Sequence, residues 1–138
     1  MKEFISKSED ETKQIAYDLA SKLSVGDIVV LSGDLGAGKT KFTEGFLSFW
    51  NLQGEISSPT FTIVNEYSKD DINIYHFDVY RLADIDEFYA IGGPEYFEKG
   101  ICIIEWGELI LDALPKKHIK IEILKDENKE NLRHIKIY

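Results

Sequence analysis

Apolar and polar positions along the chain fall into several distinct rhythms. From Ser8 onward Ile15, Ala16, Leu19, Ala20 and Leu23 recur at helical spacing, and Ser8 with Glu11 forms a capping-box pattern, so a helix is predicted over residues 8–23. Gly26 and Asp27 close that segment. They lead into Ile28–Leu31, four consecutive apolar residues that suit a strand buried on both faces, as in the middle of a parallel sheet. After a glycine-rich turn, Phe42, Phe46, Phe49 and Trp50 mark the stripe of a second helix, ending near Asn51 and Gly54. Residues 61–67 and 72–79 flank a polar "SKDD" turn and predict an antiparallel hairpin. Ile85, Phe88 and Tyr89 suggest a short helix, and Ile101–Ile104 a short apolar strand that ends at Glu105 and Trp106. "HIKIEIL" and "LRHIKIY" alternate around a charged "KDENKEN" turn, which predicts a second hairpin with one solvated face. Buried strands mixed with helices and hairpins predict an α/β fold, a three-layer domain whose mixed sheet has central parallel strands and antiparallel hairpins.

Length and charge narrow the picture. A chain of 138 residues fits one domain, residues 1–138, and is too short for two of ordinary size. "MKEFISKSEDETK" has no apolar signal-peptide core, and no apolar run approaches a membrane span, so a cytoplasmic protein without membrane attachment is expected, monomeric in isolation. The single cysteine, Cys102, excludes an internal disulfide and a cysteine-based metal cluster; within "ICII" it reads as a small buried hydrophobe. A net charge of −9 opposes unaided binding to a phosphate backbone, so any role on nucleic acid needs a partner that supplies positive charge.

The glycine-rich turn carries the chemistry. "GDLGAGKT" comprises Gly33, Asp34, Leu35, Gly36, Ala37, Gly38, Lys39 and Thr40, and it fits the phosphate-binding P-loop pattern between a buried strand and an amphipathic helix. Glycines at 33, 36 and 38 let the backbone curl so that amide hydrogens converge beside the positive end of the helix that follows. Lys39 is then the cation that reaches the β- and γ-phosphates of ATP, and the Thr40 hydroxyl is a ligand for Mg2+. A P-loop NTPase-like domain is therefore expected. Glu105, directly after four apolar residues, is the acid expected on the metal, with a solvated strand end as the alternative. Thr60 in "SSPTF" lies either in a loop sensing the γ-phosphate or in a Ser-Pro turn.

Four strings, "GDLGAGKT", "SPTF", "HFDVYR" and "IIEW", occur in this order from about Val25 to Trp106. Together they resemble the TsaE (YjeE) family, small P-loop ATPases of bacterial tRNA threonylcarbamoyladenosine synthesis. The resemblance implies an ATPase that joins the proteins TsaD and TsaB and resets their complex between turnovers, while TsaD performs the transfer. It places tRNA indirectly, through the complex, which agrees with the acidic net charge. It also makes Asp78 the essential aspartate, orienting the attacking water or the magnesium shell. One departure is Lys41, which follows the P-loop threonine where the family pattern has another threonine; it adds a positive charge near the phosphates.

The neighbours of Asp78 keep two readings each. His76 either orients Asp78 or a partner, or is a structural histidine. Arg81, one of two arginines with Arg133, stabilises transferred charge or docks on a partner, or else forms a structural salt bridge. Trp106 reads as a packed aromatic beside the metal acid, in a place that also suits coupling to an interface. A small-molecule kinase is disfavoured by the scarcity of arginines and the lack of a long lid segment, and a GTPase by the absence of DxxG and NKxD strings. A module that binds nucleotide without hydrolysing it stays open, with Asp78 then structural.

Overall fold

Ser8 caps the first helix through its hydroxyl, which accepts the Glu11 backbone N–H at 3.1 Å. The Glu11 carboxylate accepts in return from the Lys7 N–H at 2.6 Å, one residue before the usual capping-box partner. Helix α1 (Glu9–Ala20) ends three residues earlier than its apolar spacing predicts, because the chain tightens there: Lys22 N–H bonds to Leu19 O and Leu23 N–H to Ala20 O. The computed structural model describes residues 1–34, 36–55 and 63–138, with the side chain of Arg81 outside the description. Among the described residues there are seven β-strands and four α-helices, and the chain forms two compact units.

The first unit comprises Met1–Leu23, Ser32–Ile56 and Lys120–Tyr138. Helix α2 (Lys39–Ser48) packs on α1 so closely at Gly45 that an added Cβ would fall on the Lys13 backbone. Phe42, Phe46 and Leu47 are fully buried along α2, and Phe49 and Trp50 close its end in edge-to-face contact with ring centroids 5.0 Å apart. Strands β6 (Ile119–Lys125) and β7 (Arg133–Ile137) form the expected antiparallel hairpin. The "KDENKEN" run between them is an ordered turn: the Asp126 carboxylate accepts from the Asn128 and Lys129 N–H groups and pairs with His134 Nε2 at 2.9 Å. The hydrogen bond from His134, followed by those from the two backbone amides, holds the Asp126 carboxyl below its usual range. A strand without an apolar signature, β1 (Lys2–Ser6), pairs antiparallel with β7; its four outer residues are exposed, so backbone pairing rather than burial defines it.

The second unit comprises Ser24–Leu31 and Ser57–Ile119. Strand β2 (Ile28–Gly33) contributes its first four residues here, paired in parallel with β5 (Ile101–Glu105). β5 pairs in parallel with β4 (Ile72–Asp78), and β4 pairs antiparallel with β3 (Val64–Lys69) through a two-residue Asp70–Asp71 turn. Asp70 takes φ 54°, which the tight hairpin requires. Of the strand predicted over 61–67, residues 61 and 62 lie outside the described residues, and β3 carries the remainder from Val64 and runs on to Lys69. One face of the sheet carries Tyr75, Phe77, Cys102 and Ile104 into a core shared with Phe88 and Phe97, contributed by α3 (Ile85–Ala90) and the residue after α4 (Gly93–Tyr96). Parallel and antiparallel pairings coexist with helices, the α/β organisation with a mixed sheet that the pattern predicts.

Two measurements check this packing. Gly45→Ala must drive α1 and α2 apart, costing about 1–3 kcal/mol, and thermal unfolding read by circular dichroism is expected several degrees lower; an unchanged midpoint contradicts the close crossing. Burial pushes the Cys102 thiol up to about 12, so the neutral thiol persists at pH 8 and should react with a disulfide reagent only after denaturant is added.

Candidate functional site

The glycine turn sits in the first unit, and its shape follows from local contacts. Gly33 lies against β6, where a Cβ would stand 2.6 Å from the Ile123 carbonyl oxygen, so no side chain fits there. Gly36 (φ 79°) and Gly38 (φ 109°) occupy the left-handed region that glycine enters without steric cost. The Ala37 N–H bonds back to Asp34 O at 2.9 Å, curling the turn, and Gly38 O accepts the first helical bond of α2 from Phe42 N–H. Gly38 gives α2 no side-chain cap, and α2 has no acid in its first turn. Helix α1 differs on both counts, with Ser8 as cap and Glu9, Asp10 and Glu11 in its first turn. The α2 N-terminus thus has no first-turn acid or side-chain cap of its own to offset its partial positive charge, which suits an external anion. Lys39 opens the helix half-buried, and Thr40 beside it is exposed.

The candidate acids belong to the second unit. Parallel register sets Leu31 beside Glu105 and Glu105 beside Asp78, so the two carboxylates end adjacent strands on one face of the sheet. Residues two apart share a face, which puts His76 diagonally next to Glu105. His76 Nε2 lies 2.7 Å from Glu105 Oε2, with the histidine side chain 5% and the glutamate side chain 15% exposed. His76 Nδ1 is buried without a hydrogen-bond partner. A donor at that nitrogen would be stranded, so the tautomer with its proton on Nε2, donated to Glu105, fits the geometry. Asp78 is engaged differently. Its carboxylate accepts the Tyr80 N–H at 3.1 Å and caps a single 3-10 turn over Val79–Arg81, so β4 ends one residue before the predicted Val79.

A family model described as "Threonylcarbamoyl adenosine biosynthesis protein TsaE" matches residues 6–135. The chain belongs to the TsaE family. Among curated members, the tRNA threonylcarbamoyladenosine biosynthesis protein TsaE of Bacillus subtilis is 44% identical over 83% of this chain and 72% of its own length. The protein of that name from Treponema pallidum is 40% identical over 91% of this chain and 95% of its own length. A crystal structure of YdiB from Bacillus subtilis superposes with a TM-score of 0.75 at 35% identity, covering 97% of this chain and 82% of that one. The resemblance read from four short strings thus extends over nearly the whole chain. As a member of this family the chain has the P-loop fold and a place in tRNA threonylcarbamoyladenosine biosynthesis.

His76, open from the sequence between orienting Asp78 or a partner and a structural role, contacts Glu105. The Lys41 ammonium is drawn to acids, 3.6 Å from Glu44 and 3.9 Å from Glu9. Trp106 takes the left-handed conformation (φ 64°), uncommon for a bulky side chain, and meets Tyr80 with ring centroids 4.8 Å apart. Both rings are partly exposed, at 37% and 63%, so Trp106 is only half packed. Gly107 permits the turn, since a Cβ there would stand 2.6 Å from Val30 Cγ1. Leu35, Thr60 and the Arg81 side chain lie outside the described residues. A cavity of 610 Å³ lined by Ile28, Phe97, Glu98, Leu114 and Pro115 lies at the opposite end of the parallel strands from Asp78 and Glu105, and its lining brings no polar groups together around a reacting atom.

Sequence reasoning missed Arg133. Its Nε–H donates to the Ala37 carbonyl at 3.0 Å, across 96 residues of chain, a contact that no local pattern encodes.

The His76–Glu105 bond has its own test. His76→Ala leaves a part-buried carboxylate without its donor and is expected to cost about 2–4 kcal/mol in chemical denaturation. His76→Gln, which can still donate, should cost less than half of that; equal losses would show that the bond is not what His76 contributes.

Proposed function

We propose that this TsaE binds and hydrolyses ATP, and that it acts with TsaD and TsaB to reset their complex rather than transferring threonylcarbamoyl itself. The observation that carries the reading is the α2 N-terminus: glycine-shaped, uncapped and free of first-turn acids in a chain of net charge −9. Triphosphate binds to the turn at 33–40, with Lys39 drawing charge from the β- and γ-phosphates. Magnesium prefers oxygen ligands and keeps several waters. The exposed Thr40 hydroxyl and the Glu105 carboxylate are oxygen donors of that kind. Among the described residues no three His, Cys, Asp or Glu side chains cluster, which suits an ion that relies on waters and substrate. When bound, it neutralises charge developing on the transferred phosphoryl group. His76 holds Glu105 in one orientation, and Asp78 orients water for attack. The net negative charge leaves tRNA to the partner proteins, and we place the activity in the cytoplasm; among the described residues no helix is long and apolar enough to cross a membrane.

One observation favours a second reading, a nucleotide sensor that does not hydrolyse. The Asp78 carboxylate already caps the turn at Tyr80, a structural task. Asparagine caps equally well but carries no charge, so Asp78→Asn separates the two. We expect Lys39→Ala to weaken equilibrium ATP binding at least tenfold. Asp78→Asn should bind ATP within about twofold of wild type yet lose at least 99% of phosphate release in the presence of TsaD and TsaB. Normal phosphate release by Asp78→Asn would assign Asp78 to structure.

A further inference from the structure

The hairpin of β6 and β7 has no part in the chemistry described so far, yet it meets the glycine turn at Gly33, Gly36 and Ala37. The Arg133 guanidinium bridges hairpin and turn through three carbonyls: Nε–H to Ala37 O at 3.0 Å, and Nη1 to Glu130 O at 2.5 Å and Leu132 O at 3.0 Å. Among the described residues it forms no ion pair, despite the acidic surroundings of this chain. Directly across the hairpin, in register with Arg133, stands Lys125. Its Nζ is 3.2 Å from the position that a Cβ on Gly36 would occupy, which places the ammonium directly beside the glycine turn.

We propose that this hairpin completes the phosphate cradle, with Arg133 as a positioning residue for the Ala37–Gly38 peptide and Lys125 as a second phosphate-binding cation. The proposal rests on the nucleotide-binding reading of the turn. A trans peptide is planar, and its C=O and N–H point in opposite directions. No cis bond occurs among the described residues. By fixing the Ala37 carbonyl, Arg133 therefore aims the Gly38 N–H away from the hairpin. Ala37 is fully buried, so this peptide is held from one side and free on the other; a Cβ built on Gly38 would meet nothing within 4 Å.

Charge gives a second, independent reason. Like charges directly opposite in an antiparallel pair repel. Lys125 and Arg133 nevertheless face each other at the end of the hairpin that adjoins the glycine turn. Arg133 turns its charge onto carbonyls, whereas Lys125 is exposed and among the described residues has no ion pair. A polyphosphate beside Gly36 offsets this repulsion and gives the ammonium a partner. Lys125 thus contributes charge that can move with the ligand, and Arg133 contributes fixed geometry.

The test is calorimetric titration of the full chain with ATP, and separately with inorganic triphosphate, for wild type, Arg133→Gln, Arg133→Lys, Lys125→Ala and Lys39→Ala. Arg133→Gln should raise Kd for both ligands by about tenfold, and Lys125→Ala by about threefold to tenfold with the effect shrinking at high salt. Arg133→Lys, which keeps the charge but not the planar fork, should recover less than half of the loss. Arg133→Gln that melts earlier but binds both ligands as wild type does would make Arg133 merely structural and overturn its assigned role. Should Arg133→Gln fail to fold, Lys125→Ala still decides, because Lys125 is exposed. Wild-type affinity in Lys125→Ala, alongside weakened Lys39→Ala, would overturn the hairpin's part while leaving the nucleotide reading intact. Wild-type affinity in Lys39→Ala would instead overturn the nucleotide reading itself.

Discussion

The register of β5 between β2 and β4 is the constraint on which the placement of Glu105 and Asp78 depends. Parallel pairing aligns Leu31, Glu105 and Asp78 at the ends of three strands, and a slip of one residue on β5 would turn Glu105 to the opposite face. The register is held because both faces are occupied. Cys102 and Ile104 enter the aromatic core on one side, while Ile101 and Ile103 are fully buried on the other. Gly100 matters for the same reason, since a side chain there would run into the Asn73 carbonyl where β4 and β5 begin. Apolar packing along short strands thus fixes where two carboxylates emerge.

Leu31 is also where the chain leaves that pairing, and within two residues it enters the glycine turn. There the controlling contacts are of another kind. Gly33 must admit the Ile123 carbonyl, Gly36 must take a left-handed turn beside Lys125, and Gly38 must start a helix without capping it. None of these glycines serves only to loosen the chain; each keeps a particular volume empty, a particular turn open or a particular amide unpaired. Helix α1, capped and acidic at its start, shows how the same fold closes a helix N-terminus when no anion is to be bound.

Much of this was legible in the sequence wherever chemistry is local. The P-loop spacing, the capping box at Ser8, the apolar strands at 28–31 and 101–104 and both hairpins follow from neighbouring residues, and each appears in the structure. What was not legible depends on distant partners. Strand β1 has no buried stripe and exists because β7 offers it an edge. His76 was open between orienting Asp78 or a partner and a structural place, and its bond to the diagonal neighbour Glu105 on β5 was not foreseen. Lys41 reads from the sequence as a positive charge near the phosphates, and that reading does not foresee that one helical turn also brings its ammonium to Glu44. Arg133 reaches Ala37 only through tertiary folding.

The membership in the TsaE family and the mixed α/β fold stand on nearly full-length similarity. The central functional claim is that ATP is hydrolysed, and hydrolysed when partners are present. Single-turnover hydrolysis measures it most directly: trace radiolabelled ATP is mixed with excess chain, with and without TsaD and TsaB, and phosphate is followed to completion. The account predicts slow release by the isolated chain and a marked acceleration when both partners are added. ATP that remains bound and intact with both partners present would contradict it, as would equally fast hydrolysis by the chain alone.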